Sequence, residues 1–299
     1  MSLTIDGVTK KFGTFTAVNN LHVSVPKGEM FGMLGANGAG KTTTFRMILG
    51  LLEPTEGTIH WREQPLTYNQ TNCIGYLPEE RGLYPKLTVK DQLKYLGRLK
   101  GMKTQDIQKE MKMWLERFEV PEYEHKRVEQ LSKGNQQKIQ FIASVLHRPE
   151  LLILDEPFSG LDPVNVELLK KAVIDLKKEG TTILFSSHRM EHVEELCQHL
   201  CILHRGSPVV EGNLKNIKRS FGKKNVIIQG EFALEPLVDI PGVLRHQETS
   251  AGAKFQIANE ETAKLLFQAV ATAGFVQKFE LEEPSLHDIF VEKVGTRYE

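Results

Sequence analysis

Apolar and polar residues alternate along the first 29 positions of the chain. The apolar positions of this alternation, on the two sides of Gly13, are Leu3, Ile5, Val8, Leu21, Val23 and Val25. A period of two residues is typical of strands that bury one face. The pattern therefore predicts an antiparallel β segment at residues 1–29, and residues 57–61 are predicted as another short strand.

Between about residues 82 and 147 the apolar spacing changes to three and four residues. Positions with this spacing are Val89, Leu93, Leu96 and Leu99, followed by Met111, Leu115 and Phe118. This is the period of an amphipathic helix, so the pattern predicts a helical insertion. Beyond it, apolar runs at residues 151–154, 182–186 and 200–203 alternate with helical patterns such as that at residues 164–178. Such alternation predicts a largely parallel sheet.

The last part of the chain begins with a change in composition. Residues 213–224 concentrate basic side chains, namely Lys215, Lys218, Arg219, Lys223 and Lys224. Such a charge run indicates a solvated helix face or a linker, and a contact with a membrane surface or a partner is the alternative. Short strand and helix patterns follow it. We therefore predict a domain at residues 1–213, a basic linker at residues 214–224 and a small α+β domain at residues 225–299.

Length and composition limit the classes of protein to which the chain can belong. At 299 residues it exceeds the usual size of one core, about 100–200 residues, which favours two domains. The 38 basic and 38 acidic residues balance, which argues against nucleic acid as the main partner. Three cysteines are too few for a disulfide framework. No window approaches the ~20 apolar residues of a membrane span, so another chain would have to cross a membrane.

A phosphate-binding motif stands between an apolar run and a helical pattern: residues 35–42, Gly-Ala-Asn-Gly-Ala-Gly-Lys-Thr, match G-x-x-x-x-G-K-[ST]. Glycines let successive backbone N–H groups point at an anion, and the start of the helix adds positive partial charge. Lys41 is expected to reach the β- and γ-phosphates of a nucleoside triphosphate, and Thr42 to offer its hydroxyl to Mg²⁺. A glycine-rich turn that matches by chance is the alternative. The nucleotide-binding residues predicted here are Gly35, Asn37, Gly38, Ala39, Gly40, Lys41, Thr42 and Thr43.

Two carboxylates follow the buried run at residues 151–154. Ligands bind at the carboxyl ends of the strands in open α/β sheets, so both side chains are expected beside the phosphate-binding loop. Asp155 is predicted to hold Mg²⁺, and Glu156 to position and deprotonate the attacking water. An exposed acidic pair after a core strand is the alternative interpretation.

A third motif resembles a family signature. Residues 131–137, Leu-Ser-Lys-Gly-Asn-Gln-Gln, lead into a predicted helix at residues 136–147. They are similar to the LSGGQ signature of ATP-binding cassette (ABC) ATPases. Residues 159–162 resemble the D-loop of that family, His188 its switch histidine, and Phe12 the aromatic residue that stacks on adenine. The resemblance covers residues 1 to about 213. It implies an α/β fold, a P-loop ABC ATPase core with a mixed sheet, an antiparallel β subdomain and a helical insertion, followed by the small C-terminal α+β domain.

The resemblance also implies how such a site works. ATP and Mg²⁺ would be the ligands, and Ser132 and Gly134 would face the γ-phosphate held by an opposing subunit, because exposed N–H groups at a helix N-terminus bind anions. Asp162 of the D-loop would belong to the same nucleotide site. Two ATP molecules would then join two subunits head to tail, with a homodimer expected. His188 would touch the γ-phosphate and link its loss to opening of the dimer.

Two positions depart from the family pattern. Glu79 follows residues 74–78, where the family places the glutamine of the Q-loop. A carboxylate there is expected to bind Mg²⁺ or water, so Glu79 is both a catalytic and a metal-binding candidate, although it adds negative charge beside the phosphates. Lys133 and Asn135 replace the glycine and the glutamine of the commonest signature.

Other residues resemble metal sites by pattern alone. Residues 188–192 match H-x-x-E-H, a zinc-peptidase pattern that needs both histidines on one helix, whereas His188 is expected at the end of a strand. A second group, Cys197, His199, Cys201 and His204, has no standard zinc spacing. Core thiols and surface histidines are the preferred interpretation.

The insertion and the tail indicate partners. In this family the helical insertion meets the membrane partner, and Leu83 and Tyr84 offer apolar groups there, with packing on the core as the alternative. Residues 284–291, Pro-Ser-Leu-His-Asp-Ile-Phe-Val, resemble the ending of ATPase subunits from bacterial exporters of the drug- and sodium-efflux type. An amphipathic closing helix is the other interpretation of this tail.

These resemblances together imply the ATPase subunit of a bacterial ABC exporter. MgATP-driven dimerisation would power a separate multi-span membrane permease, and the chain would lie at the cytoplasmic face of the cell membrane through that permease. The alternative is a soluble ABC-type ATPase switch that acts on a non-membrane partner.

Overall fold

The computed structural model describes residues 3–67, 72–80 and 82–295 of the chain. Its backbone contacts divide it into two compact units, Met1–Gly212 and Asn213–Glu299. Each unit has its own hydrophobic core. The first unit has an α/β fold built on a mostly parallel sheet and an antiparallel sheet, and the second is a small α+β domain, in agreement with the fold class predicted from the sequence.

The first unit contains most of the secondary structure. Its strands are β1 (Leu3–Phe12), β2 (Phe15–Val25), β3 (Met30–Leu34), β4 (Glu56–Trp61), β5 (Gln64–Pro65), β6 (Ile74–Leu77), β7 (Leu151–Asp155), β8 (Thr182–Ser187), β9 (His199–His204) and β10 (Ser207–Asn213). Its helices are α1 (Lys41–Ile48), α2 (Val89–Leu99), α3 (Thr104–Arg117), α4 (Lys133–Val145), α5 (Pro163–Lys178) and α6 (Met190–Leu196). Short 3₁₀ turns lie at Pro121–Tyr123 and Val128–Gln130.

The strands of this unit form two sheets. The antiparallel sheet has the order β2-β1-β4-β5, in agreement with the alternating pattern of the first residues. The other sheet has the order β10-β9-β3-β8-β7-β6, and β3, β6, β7, β8 and β9 pair in parallel. All residues of β3, β7 and β8 are buried, as is typical of parallel strands that are covered on both faces.

Tight packing fixes the helices on this parallel sheet. Leu21 of β2, Phe45 of α1 and Ile153 of β7 belong to one buried cluster, so the antiparallel sheet and α1 share a core with the parallel sheet. Burial of a side chain such as Phe45 contributes about 1.5–3 kcal/mol. A Cβ atom on Gly75 of β6 would overlap the carbonyl oxygen of Ser144 in α4. Glycine therefore allows α4 to lie directly against β6, and this contact fixes the position of the loop that follows β6.

The helices α2, α3 and α4 form the predicted insertion around three aromatic side chains. The ring centroids of Trp114, Phe118 and Phe141 lie 5.6 to 5.9 Å apart. Helix α4 begins at Lys133, earlier than the predicted start at residue 136, and ends at Val145. Its start is moved because the Ser132 side chain accepts a hydrogen bond from the backbone N–H of Asn135 at 3.3 Å, which is an N-cap.

The second unit has a βαββαβ order. Its elements are α7 (Leu214–Phe221), β11 (Lys224–Glu231), α8 (Glu235–Val238), β12 (Val243–Thr249), β13 (Gly252–Ile257), α9 (Glu260–Ala273), β14 (Phe275–Glu282) and α10 (Leu286–Val294). The antiparallel sheet order β12-β13-β11-β14 is that of a ferredoxin-like fold. Helix α9 packs on one face through a core that includes Val226, Phe255 and Leu266. The predicted basic linker contains helix α7, which Asn213 caps.

Candidate nucleotide-binding site

The sequence motifs meet at the carboxyl edge of the parallel sheet. The phosphate-binding loop follows β3, Glu79 follows β6, Asp155 ends β7, and His188 follows β8. Leu34 of β3 pairs with Ser187 of β8, and Asp155 pairs with Ser186, so these strands end at the same level. Ligands of open α/β sheets bind in the crevice outside this edge.

The phosphate-binding loop connects β3 to α1 with a backbone that requires glycine. The φ angles of Gly35, Gly38 and Gly40 are 151°, 79° and 107°. Residues with a Cβ atom rarely adopt these φ angles. A Cβ on Gly40 would also lie 2.7 Å from the carbonyl oxygen of Ala17. Asn37 is exposed in the loop, Ala39 is buried, and Thr43 lies in the first turn of α1. The loop thus leads directly into a helix N-terminus whose free N–H groups can bind an anion.

Lys41, the first residue of α1, is a buried cation. Lys41 is 7% exposed, and its ammonium donates hydrogen bonds to the carbonyl oxygens of Gly35 at 2.6 Å and Ala36 at 3.2 Å. Burial lowers the pKa of Lys41, against the charges of three nearby carboxylates, which raise it. These carboxylates belong to Glu156, Asp155 and Glu79.

Asp155 is held by hydroxyl groups from two neighbouring elements. The residue is 1% exposed, and its oxygens accept hydrogen bonds from Thr42 Oγ1 at 3.0 Å and from Ser186 Oγ at 2.5 Å. Sequence reasoning missed Ser186, although its place at the end of an apolar run is the same signal that identified Asp155. Charge-assisted bonds of this kind fix the orientation of a carboxylate.

Glu156 is the next residue and has a strained backbone. Its φ angle of 50° is left-handed, a conformation that costs a non-glycine residue of order 1–3 kcal/mol and is concentrated at functional sites. The residue is 5% exposed, its Oε2 lies 2.9 Å from Nδ1 of the exposed His188, and its buried Oε1 has no partner among the described residues. Burial raises the pKa of Glu156, while the charges of His188 and Lys41 oppose this shift.

The oxygen donors at this edge fit Mg²⁺, a hard cation that binds carboxylate and hydroxyl oxygens. The Thr42 hydroxyl and the Asp155 carboxylate already lie together. Glu79 is exposed at the rim of the same edge, and its charge acts on Lys41. The donor set therefore supports Thr42 and Asp155 as candidate ligands, with Glu79 as a third.

Helix α4 contributes two positioning contacts that sequence reasoning missed. Gln140 donates from Nε2 to the carbonyl oxygens of Pro78 at 3.2 Å and Glu80 at 3.0 Å, on both sides of Glu79. Gln137 donates to the carbonyl oxygen of Pro157 at 3.0 Å, directly after Glu156. A glutamine inside a helical pattern gives no signal of such a role. The helix that begins at the signature motif therefore holds the loops that carry both carboxylates.

The remaining predicted residues make local contacts at the ends of their own elements. Ser132 caps α4, and Asp162 caps α5 by accepting a hydrogen bond from the Asn165 backbone at 3.1 Å. A Cβ on Gly134 would lie 3.4 Å from Leu161, so the signature motif adjoins the D-loop.

Phe12 lies at the end of β1 with its ring exposed and with the Lys10 ammonium 5.3 Å from the ring centroid. The ring is therefore open to a planar group, which is the arrangement that stacking on a base requires.

Among the residues with metal-like spacing, the two cysteines are core thiols, as the preferred interpretation predicts. Cys197 and Cys201 are buried, and burial raises the pKa of Cys201 to about 12. His199 is half-buried and bonded to Glu29 through Nδ1 at 2.6 Å. His188 lies before α6, whereas His192 lies within α6 and packs on Phe158.

Two family models match the sequence. Residues 18–159 match the model described as ABC transporter. Residues 212–294 match the model described as ATP-binding protein DrrA1-3-like, C-terminal domain. The first match contains the phosphate-binding loop, the signature motif and the acidic pair, and the second contains the βαββαβ elements.

Individual proteins are similar over all or most of the chain. The uncharacterized ABC transporter ATP-binding protein YhaQ of Bacillus subtilis (strain 168) is 65% identical over 297 residues, covering 99% of this chain and 100% of the relative. The bacitracin transport ATP-binding protein BcrA of Bacillus licheniformis is 32% identical over 297 residues, covering 96% of this chain and 95% of the relative. The solved structure of an ATP-binding subunit of an ABC transporter has a TM-score of 0.69 and 30% identity, covering 74% of this chain and 94% of the other.

The fold and the motifs at the sheet edge define a P-loop ATPase of the ATP-binding cassette class. With these similarities, the chain belongs to the family of ABC transporter ATP-binding proteins. It is thus an ATP-binding subunit of a transporter, and its first unit is an ATPase domain. Within residues 3–67, 72–80 and 82–295, no helix has the length and apolar composition of a membrane span.

Proposed function

We propose that this chain hydrolyses MgATP as the motor subunit of an exporter and that it drives a separate membrane permease. The observation that carries the hydrolytic part is the burial of Lys41, Asp155 and Glu156 at one sheet edge. The bacitracin transport name of one relative and the exporter-like tail at residues 284–291 support the exporter class.

Glu156 acts as the general base in this proposal. A carboxylate whose pKa is raised by burial is a better acceptor for the proton of an attacking water. His188 holds Oε2, and the unpartnered Oε1 is the atom that would accept this proton. Thr42 and Asp155 would hold Mg²⁺, which when bound neutralises charge on the β- and γ-phosphates.

The signature motif serves a second copy of the chain in this proposal. The N-terminus of α1 already provides the anion site for the nucleotide bound by the same chain. Helix α4 provides another, with Ser132 as its cap and Gly134 in its first turn, beside the D-loop residues before Asp162. A homodimer with ATP between the two copies uses both sites, and loss of the γ-phosphate at His188 releases the contact.

The permease contact is proposed at an apolar groove of about 670 Å³ between the insertion and the parallel sheet, which we name the insertion groove. Its lining includes Leu51, Tyr76, Leu83, Leu96, Leu99, Gln140 and His147. Leu51 and Leu99 are 60% and 62% exposed and line the same groove, so they belong to a contiguous exposed apolar surface of the kind that marks interaction sites.

Polar atoms in the insertion groove indicate what would fill it. Gln140 Oε1 and His147 Nδ1 are buried without a hydrogen-bond partner among the described residues. Burial lowers the pKa of His147 to about 4, so the ring is neutral at pH 7, and Nε2 donates to the Ile74 carbonyl oxygen while Nδ1 is an acceptor. A short helix with apolar side chains and a hydrogen-bond donor fits this groove. Because Gln140 also holds the loop of Glu79, such a partner would be linked to the nucleotide site.

The location that follows is the cytoplasmic face of the cell membrane, reached through the permease. The test is affinity purification of the chain from detergent-solubilised membranes of its native host, with co-purifying chains identified by mass spectrometry. A stoichiometric multi-span partner is expected. Recovery in the soluble fraction with a non-membrane partner would contradict the exporter proposal and favour a soluble ATPase switch.

A matched pair of variants tests the insertion groove itself. Leu99→Asp is expected to reduce recovery of the permease at least tenfold, because a charge in a desolvated contact costs several kcal/mol. Leu244→Asp places the same change on the exposed surface of the second unit and should leave recovery unchanged. Equal recovery with both variants would show that the permease does not use this groove.

A further inference from the structure

The second unit contains a cavity of about 330 Å³ that the ATPase function does not use. This volume lies at the lower end of small-molecule pockets, which span roughly 300–1,000 Å³. The cavity lies between the open face of the sheet and α10, opposite the face that α9 covers. Its lining residues are Asn225, Arg245, His246, Gln247, Lys254, Gln256, His287, Asp288, Val291 and Glu292.

Strand register places three polar side chains in one row across the floor of this cavity. Gln256 of β13 pairs with Arg245 of β12 on one side and with Asn225 of β11 on the other. Directly opposite residues share a face of the sheet, and neighbouring strands lie about 4.8 Å apart. Arg245 and Asn225 therefore stand at the two ends of a short row of polar residues, with Gln256 between them.

Asn225 provides a buried acceptor. The residue is 1% exposed, and its Nδ2 donates a hydrogen bond to Asp288 Oδ2 at 2.7 Å. An ionised carboxylate only accepts hydrogen bonds, so the orientation of the amide is fixed and Oδ1 is the other atom. This Oδ1 has no hydrogen-bond partner among the described residues. A buried acceptor without a donor costs about 1–3 kcal/mol, so it is suited to a donor that a ligand supplies.

The charges of the cavity leave one cation uncompensated. Asp288 accepts hydrogen bonds from Lys254 at 3.2 Å and from the Ser285 backbone at 3.0 Å, in addition to Asn225. Glu292 is paired with Lys223, which lies outside the cavity lining. Arg245 has no ion pair in the part of the chain that the structure describes. Its planar guanidinium can bind a carboxylate through two parallel hydrogen bonds.

We propose that this cavity binds a small carboxylate that carries an amino or hydroxyl group, a molecule of amino-acid or hydroxy-acid size. The carboxylate pairs with Arg245, and the amino or hydroxyl group donates to Asn225 Oδ1. The site would give the second unit a ligand of its own, distinct from the nucleotide bound by the ATPase unit.

Ligand-observed NMR on the full-length protein tests this proposal. The probes are the twenty common L-amino acids, lactate, malate and glycerate, with inorganic phosphate as a separate sample, and any binder is then titrated by calorimetry. At least one carboxylate of this set is expected to bind. Binding of none of them, or of phosphate alone, would overturn the proposal.

Arg245→Gln is expected to weaken the binding of that carboxylate tenfold or more, because the charge-assisted pair is lost. Arg219→Gln makes the same change on the exposed surface of α7 in the same unit, outside the cavity, and should leave the affinity unchanged. Arg245 is exposed, so its replacement leaves the core intact. Equal affinity for the carboxylate in the Arg245→Gln variant and the parent would refute the assignment of the site. ATP binding should be unchanged in both variants, and this control separates the test of the cavity from the proposed ATPase function.

Discussion

Lys41, Asp155 and Glu156 are charged residues that lie almost entirely out of contact with water. Buried charges are rare unless they are paired or bind a ligand. Asp155 is satisfied by two hydroxyl groups, but Lys41 donates to backbone carbonyl oxygens and one oxygen of Glu156 has no partner among the described residues. The two incompletely paired residues are those to which we assign phosphate binding and proton transfer. Their incomplete pairing supports the proposed binding of an anionic nucleotide and its hydrolysis.

Replacement of Lys41 tests the phosphate-binding role. Lys41→Ala is expected to weaken ATP binding by roughly 30-fold or more, because a charge-assisted hydrogen bond contributes about 2–3 kcal/mol. Calorimetric titration with ATP measures this affinity. Lys109→Ala, an exposed lysine on α3, is the control and should bind ATP like the parent. Parental affinity in Lys41→Ala would exclude the assigned role.

The raised pKa of Glu156 predicts a pH-dependent effect on stability. In the folded state, burial raises the pKa of the Glu156 carboxyl above its ordinary value of 4.5. The ionised carboxylate therefore destabilises the folded state at higher pH. This destabilisation is lost as the pH falls to the pKa of the unfolded state. Glu156→Gln removes the charge. Its free energy of unfolding relative to the parent should therefore increase between about pH 4.5 and pH 8, as measured by urea denaturation.

The exposed Glu116 of α3 provides the control for this measurement. Glu116→Gln makes the same substitution at an exposed position, and its difference from the parent is the baseline against which the pH trend of Glu156→Gln is compared. A difference for Glu156→Gln that decreases with pH would mean that His188 and Lys41 outweigh burial.

At the scale of elements, the site depends on how closely α4 lies against β6. Gly75→Ala introduces a Cβ that overlaps the Ser144 carbonyl oxygen, so α4 must shift and carry Gln140 with it. The expected loss in the free energy of unfolding is about 1–3 kcal/mol, the usual effect of overpacking. Gly82→Ala is the matched control, since a Cβ there meets no atom within 4 Å. Equal stability of both variants in urea denaturation would refute this packing argument.

The parallel strands and the phosphate-binding loop could be predicted because each has a strong local signal. Residues 30–34 and 151–154 are continuous apolar runs, and both are buried strands. Strand β10 could not be predicted, because it is a half-buried edge strand that contains Pro208 and lacks a continuous apolar run. Helix α7 was hidden for a related reason, since its basic residues are typical of a linker as well as of a solvated helix.

The contacts between distant residues were the part that the sequence did not reveal. Ser186 and Asp155 are 31 positions apart, and their hydrogen bond depends on the register of β7 with β8. Gln140 reaches the Glu79 loop because Gly75 admits α4 to the sheet. Such pairings follow from packing, and a pattern along one chain predicts the strands without predicting their register.

At the scale of the whole molecule, the chain has two units with separate cores and separate candidate ligands. The ATPase unit contains the residues that we propose for binding and hydrolysis of a nucleotide. It also contains a second helix N-terminus at the signature motif, whose Ser132 makes its contacts locally. In the proposed function, this second helix N-terminus binds the phosphate that another copy of the chain holds. The proposed cycle therefore belongs to a dimer, and a variant that binds ATP without hydrolysing it should remain dimeric.

The measurement that tests this most directly is light scattering on Glu156→Gln in MgATP and in MgADP, combined with an ATPase assay. The expected result is a stable dimer in MgATP, a monomer in MgADP, and turnover reduced roughly 10²–10⁴-fold, the usual contribution of a general base. Glu116→Gln should hydrolyse ATP like the parent. Hydrolysis by Glu156→Gln at the parental rate, or a monomer in MgATP, would contradict the account.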